Sequence, residues 1–519
     1  MARALTAPAT PQSAAQGVAY RNAAVELAEL AAASGWLERR AFIESERVWT
    51  YRELYDAVAS SSGLLAERGV AQGDRVLIAL HDRVAFLLAF LGVARLGATA
   101  VPINPRLVPE EFEYIAHDAA PSLVVCEPEL APAFPGTPAV SGAELEAAGL
   151  SRSPAEPADP GDGAALYGLY TSGTTGRPKL VLHRHSDIRW HSAAVSRAAL
   201  GIVPDDVLYS VSRAFFSYGL GNTVFTTLSS GATAVLEPGR PTVASVSALA
   251  CRTHPTVFFA VPSFYAMLLA DGDPGCFRSL RVAVSAGEVM SPALCARVSD
   301  FLGVPVLDAL GSSEVGHLFI ANTLERQRPG TCGVVLPGYE ISVRDAQGED
   351  LPPGSVGSLW VRGPTLMTGY HGRPEETERV LVGGWLHTGD RAYVDDDGFV
   401  HHKGRADDIE MVGGISVSPV EVETVLASHP HVGEVAVAAV PDHLGATRLR
   451  AFVVPGAGVS GSEALEAEII LLARRHLAPY KVPRSVQFVD ELPRTSTGKL
   501  RRHVLRSLGA RAGPDRSTA

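Results

Sequence analysis

The sequence predicts an α/β protein with a large N-terminal body and a small α+β C-terminal domain. Three observations predict it. Between 205 and 311, five short β-type runs (207–212, 232–237, 256–261, 280–285, 305–310) alternate with amphipathic helical stretches, the rhythm of a parallel sheet with helices on its faces. An earlier set repeats that rhythm: 75–80, a helix over 83–95, 98–103 and 122–126. From 339 onward the pattern changes to paired strands, and beyond 408 a further stretch has helices and strands of its own.

Taken in order, the units between 205 and 311 share spacing but not sequence, so they are βα units rather than a solenoid repeat. The β-rich section runs through 339–345, 356–362 and 390–403, where Asp395-Asp396-Asp397-Gly398 makes a hairpin turn. The last section has helices at 419–428 and 462–477 and strands at 434–440 and 449–454. The expected division is a disordered leader over 1–17, an N-terminal domain over 18–404, a boundary at 405–408, a C-terminal domain over 409–508 and a disordered tail over 509–519.

Composition removes several function classes. The chain has 519 residues, 45 Lys and Arg against 56 Asp and Glu, and a net charge of −11. No global positive field attracts nucleic acid or an anionic membrane, so any polyanion must be held locally. Five cysteines, at 126, 251, 276, 295 and 332, include no C-x-x-C pair, which argues against a disulfide framework or structural zinc. The apolar run Val84 to Ala94 ends at Arg95, short of the roughly 20 residues that span a bilayer, and residues 1–17 have no secretory apolar core. A soluble, cytoplasmic protein is expected.

The most informative segment is Tyr170-Thr171-Ser172-Gly173-Thr174-Thr175-Gly176-Arg177-Pro178-Lys179, which follows a β-type run at 165–170. Its glycines let backbone N–H groups approach an anion, its hydroxyls add donors, and its lysine adds a charge that can follow a terminal phosphate. The segment can cradle a polyphosphate, although a bare Ser/Thr/Gly cluster also makes an ordinary loop. Neither the Walker pattern nor the dinucleotide fingerprint can be read in it.

This loop resembles the phosphate-binding signature of the adenylate-forming superfamily, which includes acyl-CoA synthetases, peptide-synthetase adenylation domains and beetle luciferases. Five further motifs follow in that family's order: Gly311-Ser312-Ser313-Glu314, Gly357 to Gly363, Trp385 to Asp390, Gly404-Arg405-Ala406-Asp407-Asp408, and Pro493 to Lys499. The resemblance spans about residues 40 to 505 and implies the two-domain adenylate-forming fold, with ATP and Mg²⁺ as requirements and coenzyme A as co-substrate.

Joining a carboxylate to ATP brings two anions together, so cations and a metal are expected in the site. By resemblance, Thr171, Ser172, Gly173, Thr174, Thr175, Gly176 and Lys179 hold the β- and γ-phosphates. Ser313 lines the nucleotide, and Glu314 helps to hold Mg²⁺. Asp390 accepts from the ribose hydroxyls and Arg405 contacts ribose or phosphate. Gly287 and Glu288, in Ser285-Ala286-Gly287-Glu288, border adenine and the acyl site, with Asp308 near the adenine edge. Lys499 bridges the carboxylate and the α-phosphate, Asp407 is the hinge of a domain rotation between half-reactions, and Gly413 and Gly414 line the pantetheine tunnel. Taken singly, Glu314 also reads as a solvated loop carboxylate, Asp390 as a turn residue, Arg405 as a linker arginine and Lys499 as an exposed lysine. One departure is Glu410-Met411, where related ligases tend to read Leu-Lys, and it puts local CoA contacts in question.

The run Ala214-Phe215-Phe216-Ser217-Tyr218-Gly219-Leu220-Gly221-Asn222, and His317 three residues after Glu314, resemble benzoate-CoA ligases and related aryl-CoA ligases. An aromatic carboxylic acid is the implied substrate. Phe216 and Tyr218 would pack on its ring, Ser217 and Gly219 would shape the slot, and His317 would donate to the carboxylate. These aromatics also read as ordinary core residues. The leading expectation is an ATP-dependent aryl-CoA ligase. The alternatives are an adenylation enzyme that loads the acid onto a carrier protein and a catalytically inactive ligand-binding relative, against which the joint presence of Lys179, Glu314, Asp390 and Lys499 argues.

Overall fold

Six parallel strands form the centre of a nine-stranded sheet, in the order Val306–Gly311, Val282–Ser285, Val257–Ala260, Val207–Ser210, Thr233–Leu236 and Arg40–Glu44. Antiparallel strands close both edges: Leu318–Ala321 and Val334–Val335 on one side, Arg47–Thr50 on the other. The computed structural model describes residues 5–6, 22–161, 163–171, 177–406, 410–412, 415–441, 447–494 and 500–511. The five runs expected between 205 and 311 are all strands of this sheet. Every side chain of Val207–Ser210, Val257–Ala260 and Val282–Ser285 is buried, as sheets covered on both faces require.

The earlier βα set builds a second, seven-stranded sheet. Ala139–Ser141, Leu123–Cys126, Arg75–Ala79, Thr99–Pro102 and Ala165–Thr171 run parallel, and the antiparallel strands Lys179–Arg184 and Gly369–Tyr370 extend it. The helix Val84–Arg95 is buried at every residue from Val84 to Ala94. Its apolar run is therefore a core element, and no helix among the described residues is long and apolar enough to cross a membrane.

The β-rich section is an antiparallel sheet of Glu340–Arg344, Gly357–Arg362, Trp385–Val394 and Val400–Arg405, with Leu381–Val382 at its edge. As expected, Asp395 makes the turn, its Oδ1 accepting from the N–H groups of Asp397 and Phe399. In the C-terminal section, Val432–Pro441 pairs antiparallel with Thr447–Pro455, which pairs parallel with Ser485–Phe488. The helices Pro419–Leu426 and Glu463–His476 cover that sheet.

Three expectations need correction. Leu5–Thr6, inside the span expected to be a disordered leader, pairs with Ile341 and Glu340, while the rest of 1–17 lies outside the described residues. The last helix runs Arg502–Arg511, past the expected end at 508, and beyond that point Arg450 Nη1 donates to Gly509 O at 3.1 Å. The cysteines are not all free: Cys251 and Cys276 form a disulfide, whereas Cys126, Cys295 and Cys332 are buried thiols. The helix Val243–Thr253 and the turn Pro274–Phe277 pack together, which brings these two cysteines, 25 residues apart in sequence, to a Cα separation of 4.3 Å.

Candidate active site

In a parallel sheet the crevice for a ligand opens at the carboxyl ends of the strands, where helix connections leave the sheet. Of four neighbouring strands here, three end in segments that the sequence singles out, and the fourth, Val257–Ala260, ends between them. Val207–Ser210 leads to 213–222, Val257–Ala260 to Ser263, Val282–Ser285 to Gly287 and Glu288, and Val306–Gly311 to Ser313, Glu314 and His317. The register fixes their alignment, since Ser285 pairs with both Ala260 and Asp308.

The 311–317 connection is a tight turn, with Gly316 N–H donating to Ser313 O and Ser312 N–H to His317 O. His183 Nε2 binds Ser313 O at 2.7 Å, and its ring stacks on Tyr167. Glu314 is half-buried, and its Oε1 accepts from Tyr370 Oη at 3.1 Å. Lys179 starts the second arm of the hairpin, opposite Thr171. Its ammonium lies 5.1 Å from the centroid of the same Tyr370 ring and is paired with Glu376. Tyr370 therefore stands between a cation and a carboxylate brought in from two different sheets. Burial, with Glu314 alongside, raises its phenol well above the usual range, so it remains a neutral donor. Tyr114 Oη ties down the hairpin by donating to Pro178 O at 2.7 Å.

Next to these lies the 213–222 turn. Asp82 is buried, and its carboxylate accepts from Ala214 N–H at 3.2 Å. Burial raises the Asp82 carboxyl to about 6 against the opposing pull of Arg213. Tyr218 donates to Val284 O at 3.2 Å, and its ring stacks on His317 at 5.8 Å. Two glycines allow this approach. A Cβ on Gly219 would fall 2.0 Å from Arg213 O, and one on Gly221 would fall 2.2 Å from His317 Cδ2. Phe216 and Ser217 are half-buried at the head of the short helix Ser217–Leu220.

His317 differs from expectation. Its Nε2 lies 3.3 Å from Tyr218 O and 3.2 Å from Asn222 Oδ1, both acceptors, so Nε2 carries the proton. The donor is thus already used inside the protein rather than offered to a substrate carboxylate. Nδ1 is buried without a partner and is left as an acceptor. Burial lowers the His317 pKa to about 3, which keeps the ring neutral. Beside it, at 4.5 Å between ring centroids, His191 binds Thr226 through Nε2 and likewise has a buried, unpartnered Nδ1.

Asp308 is buried with Oδ1 unpartnered, and burial raises its carboxyl well above the usual range. Asp390 is buried on the antiparallel sheet opposite Arg405. Burial pushes its carboxyl up, but the His402 contact at 3.1 Å and the Arg405 charge outweigh that and hold it below the usual range. Arg405 donates to Thr388 O at 3.0 Å. Glu288 accepts from Ser263 N–H and Oγ, each at 3.0 Å, and pairs with Arg494 at 3.0 Å, so its carboxylate is engaged within the protein.

With this geometry in place, the similarity to known proteins can be stated. A model of AMP-binding enzymes matches residues 30–371, and a model of the AMP-binding enzyme C-terminal domain matches 421–499. The chain belongs to the AMP-binding enzyme family. This AMP-binding enzyme is 40% identical over 490 residues to p-hydroxybenzoic acid–AMP ligase FadD22 of Mycobacterium tuberculosis, covering 93% of this chain and 68% of that one. It is 36% identical over 508 residues to the benzoate–CoA ligase of Thauera aromatica, covering 94% and 96%. It superposes on the anthranilate CoA ligase AuaEII in complex with anthranoyl-AMP with a TM-score of 0.90 and 32% identity, covering 96% and 99%.

In this AMP-binding enzyme, Gly287, Asp308, Glu314 and the 216–219 turn lie on or just after strands of the nine-stranded sheet, and Lys179, opposite Thr171 on the second sheet, meets Glu314 through the Tyr370 ring. Ser172, Gly173, Thr174, Thr175, Gly176, Asp407, Gly413, Gly414 and Lys499 lie outside the described residues. Glu410 is buried, and its carboxylate binds Arg506. The Glu410 departure from the family pattern is thus explained by packing of the last helix. Residues missed in the sequence include Asp82, His191, Asn222, Tyr370 and Glu376. Of these, Asn222 closes the run 214–222 but carries no expected role there, and Asp82 and His191 sit in runs with no motif.

Proposed function

We propose that the chain is an AMP-forming acid–thiol ligase for aromatic carboxylic acids. In the first half-reaction the substrate carboxylate attacks the α-phosphorus of ATP, and pyrophosphate leaves. In the second, a thiol attacks the acyl carbonyl of the aroyl-AMP, AMP leaves and the thiol proton is released. The observation that supports this most is the stacked Tyr218–His317 pair, one turn of chain from Glu314 and bounded by glycines that no side chain could replace.

Thr171 and Lys179, with the segment 172–176, would cradle the β- and γ-phosphates. Ser313 lines the nucleotide, and Asp390 accepts from the ribose hydroxyls beside Arg405. The unpartnered Asp308 Oδ1 suits the exocyclic amine of adenine, which Gly287 would adjoin. Among the described residues no group of three His, Cys, Asp or Glu could hold a metal alone. Magnesium in nucleotide sites takes one or two carboxylates plus phosphate oxygens, so Glu314 fits it, and the ion would offset phosphate charge. Lys499 would stabilise the charge that develops as carboxylate and α-phosphate join. A rotation about Asp407 would then let Gly413 and Gly414 line the thiol's path. Phe216, Ser217, Tyr218 and Gly219 form the slot for the ring. His317 Nδ1 is a buried acceptor without a partner, and a hydroxyl or amino group on the ring would supply the donor it lacks.

Coenzyme A is the proposed thiol, in a cytoplasmic setting. A second reading, transfer to the phosphopantetheine of a carrier protein, is favoured by the 40% identity to an AMP ligase. Pyrophosphate release should be screened across benzoate, hydroxybenzoates and aminobenzoates, followed by assay for the CoA thioester. Aroyl-AMP without CoA thioester selects the carrier reading, and no pyrophosphate release with any aromatic acid refutes both. Lys499→Ala should slow aroyl-AMP formation by about 10²–10³-fold, and an unchanged rate would remove Lys499 from the mechanism.

A further inference from the structure

Asp82 ties the seven-stranded sheet to the start of the 213–222 turn. It lies on the short connection between the strand Arg75–Ala79 and the buried helix Val84–Arg95, and it is 4% exposed. That connection is fixed on both sides of Asp82. His81 N–H donates to Glu127 Oε1 at 3.0 Å, and Val84 N–H donates to Glu44 Oε2 at 3.4 Å. From this fixed point the carboxylate reaches across to the nine-stranded sheet. Its two oxygens accept from Ala214 N–H at 3.2 and 3.3 Å, and Oδ2 lies 3.6 Å from Arg213 Nη1.

Arg213 carries that constraint into the turn. Its Nη1 also donates to Glu237 O, and Glu237 Oε2 accepts at 2.7 Å from Tyr209 Oη, on the strand that leads to the turn. Its Nη2 is buried without a hydrogen-bond partner, so Asp82 is the ion-pair partner of a largely desolvated charge. Arg213 O accepts from Phe216 N–H at 3.0 Å, and a Cβ on Gly219 would fall 2.0 Å from the same oxygen. A shift at 213–214 is therefore passed to Phe216 and Gly219, two of the residues proposed to form the ring slot.

We propose that Asp82 is a positioning residue that sets the shape of the aromatic-acid slot from the neighbouring sheet. This rests on the reading of 216–219 as that slot. Asp82 acts through Arg213 and Ala214 and does not need to touch the substrate. A turn held in place before the acid arrives avoids the cost of ordering it on binding, and a hydrogen bond from a backbone N–H to a carboxylate is stronger than one to a neutral acceptor. The groups proposed to handle nucleotide have partners of their own, Glu376 for Lys179 and His402 for Asp390. Loss of Asp82 therefore falls on recognition of the acid rather than of ATP.

The test compares KM for the acid with KM for ATP in pyrophosphate exchange, using the full chain and the aromatic acid that the wild type activates best. Asp82→Asn should raise the KM for the acid about tenfold, the scale of a lost hydrogen bond to a charged group, while the KM for ATP changes by less than about twofold. Combining Asp82→Asn with Arg213→Gln should recover part of that loss, since no charge is then left buried alone, yet keep the acid KM above wild type. An unchanged acid KM in Asp82→Asn, or equal rises for acid and ATP, would overturn the assignment. Should Asp82→Asn not fold, the double variant decides, and a wild-type acid KM in it would overturn the assignment as well. If the wild type activates no aromatic acid, the functional reading itself fails and the role of Asp82 falls with it, an outcome visible before any variant is made.

Discussion

Lys179, the cation of the glycine-rich hairpin, is ion-paired with Glu376, on the helix Pro374–Val380, and that carboxylate is shared with Arg373 at 3.6 Å. Lys179 and Arg373 hold the Glu376 carboxyl below the usual range, chiefly through the Lys179 hydrogen bond. In the proposed role of Lys179, an incoming phosphate would compete with a carboxylate for the same ammonium.

Glu376→Gln removes that competitor. ATP should bind about fivefold more tightly in this variant, the scale of a partly exposed ion pair, and the gain should shrink at high salt. Lys179→Ala should weaken ATP binding. Titration with ATP at two ionic strengths checks both, and unchanged affinity in Glu376→Gln would show that the pair persists in the nucleotide complex.

Gly221→Ala places a methyl group where His317 Cδ2 now lies, so the ring must move or the turn must open. Activation of aromatic acids should fall by about tenfold or more, while ATP affinity stays near wild type. Parallel measurement of KM for acid and nucleotide tests this separation, and a loss in both would indicate a folding defect instead.

The buried histidines predict how stability varies with pH. Burial lowers His317 to about 3 and His185 to about 4, whereas both titrate near 6.5 when unfolded. Below about 6.5 the unfolded chain binds protons that the folded chain refuses, so stability present above that pH is lost as pH falls toward 4. Denaturant titrations from pH 7.5 to 5 should show this decline. In His317→Gln the slope should be shallower by up to about 1.4 kcal/mol per pH unit.

Asp390→Ala removes the carboxylate beside His402 and Arg405 and the proposed partner of the ribose hydroxyls. The KM for ATP should rise about 10- to 100-fold, as when hydrogen bonds to a charged group are lost. Comparing ATP with its 2′-deoxy analogue checks the cause: the analogue should be penalised in the wild type and much less so in the variant.

Much of this architecture was legible in the sequence because it depends on local pattern. Runs such as 256–261 and 280–285 contain the fully buried strands Val257–Ala260 and Val282–Ser285, and the parallel sheet follows from their alternation with helices. The motifs around Lys179, Glu314 and Asp390 were legible as resemblance. What stayed hidden depends on contacts between distant segments. Nothing near Glu288 announces Arg494, 206 residues away, and nothing near Lys179 announces Glu376. Cys251 and Cys276 meet because a helix and a turn pack together, a fact of tertiary structure. The tautomer of His317 is hidden for the same reason, since its proton is fixed by Asn222 and the Tyr218 carbonyl on another connection.

The two walls of the proposed ring slot lie on separate connections, 211–221 and 312–317, whereas Lys179 and Asp390 belong to other sheets. Neither connection contributes a strand to the nine-stranded sheet: 211–221 follows the fully buried strand Val207–Ser210, and 312–317 lies between Val306–Gly311 and the fully buried strand Leu318–Ala321. Mutational drift can thus act on 211–221 without touching the groups that would handle nucleotide. The lineage of such a chain is free to explore new aromatic acids one side chain at a time while its chemistry of activation is inherited unchanged.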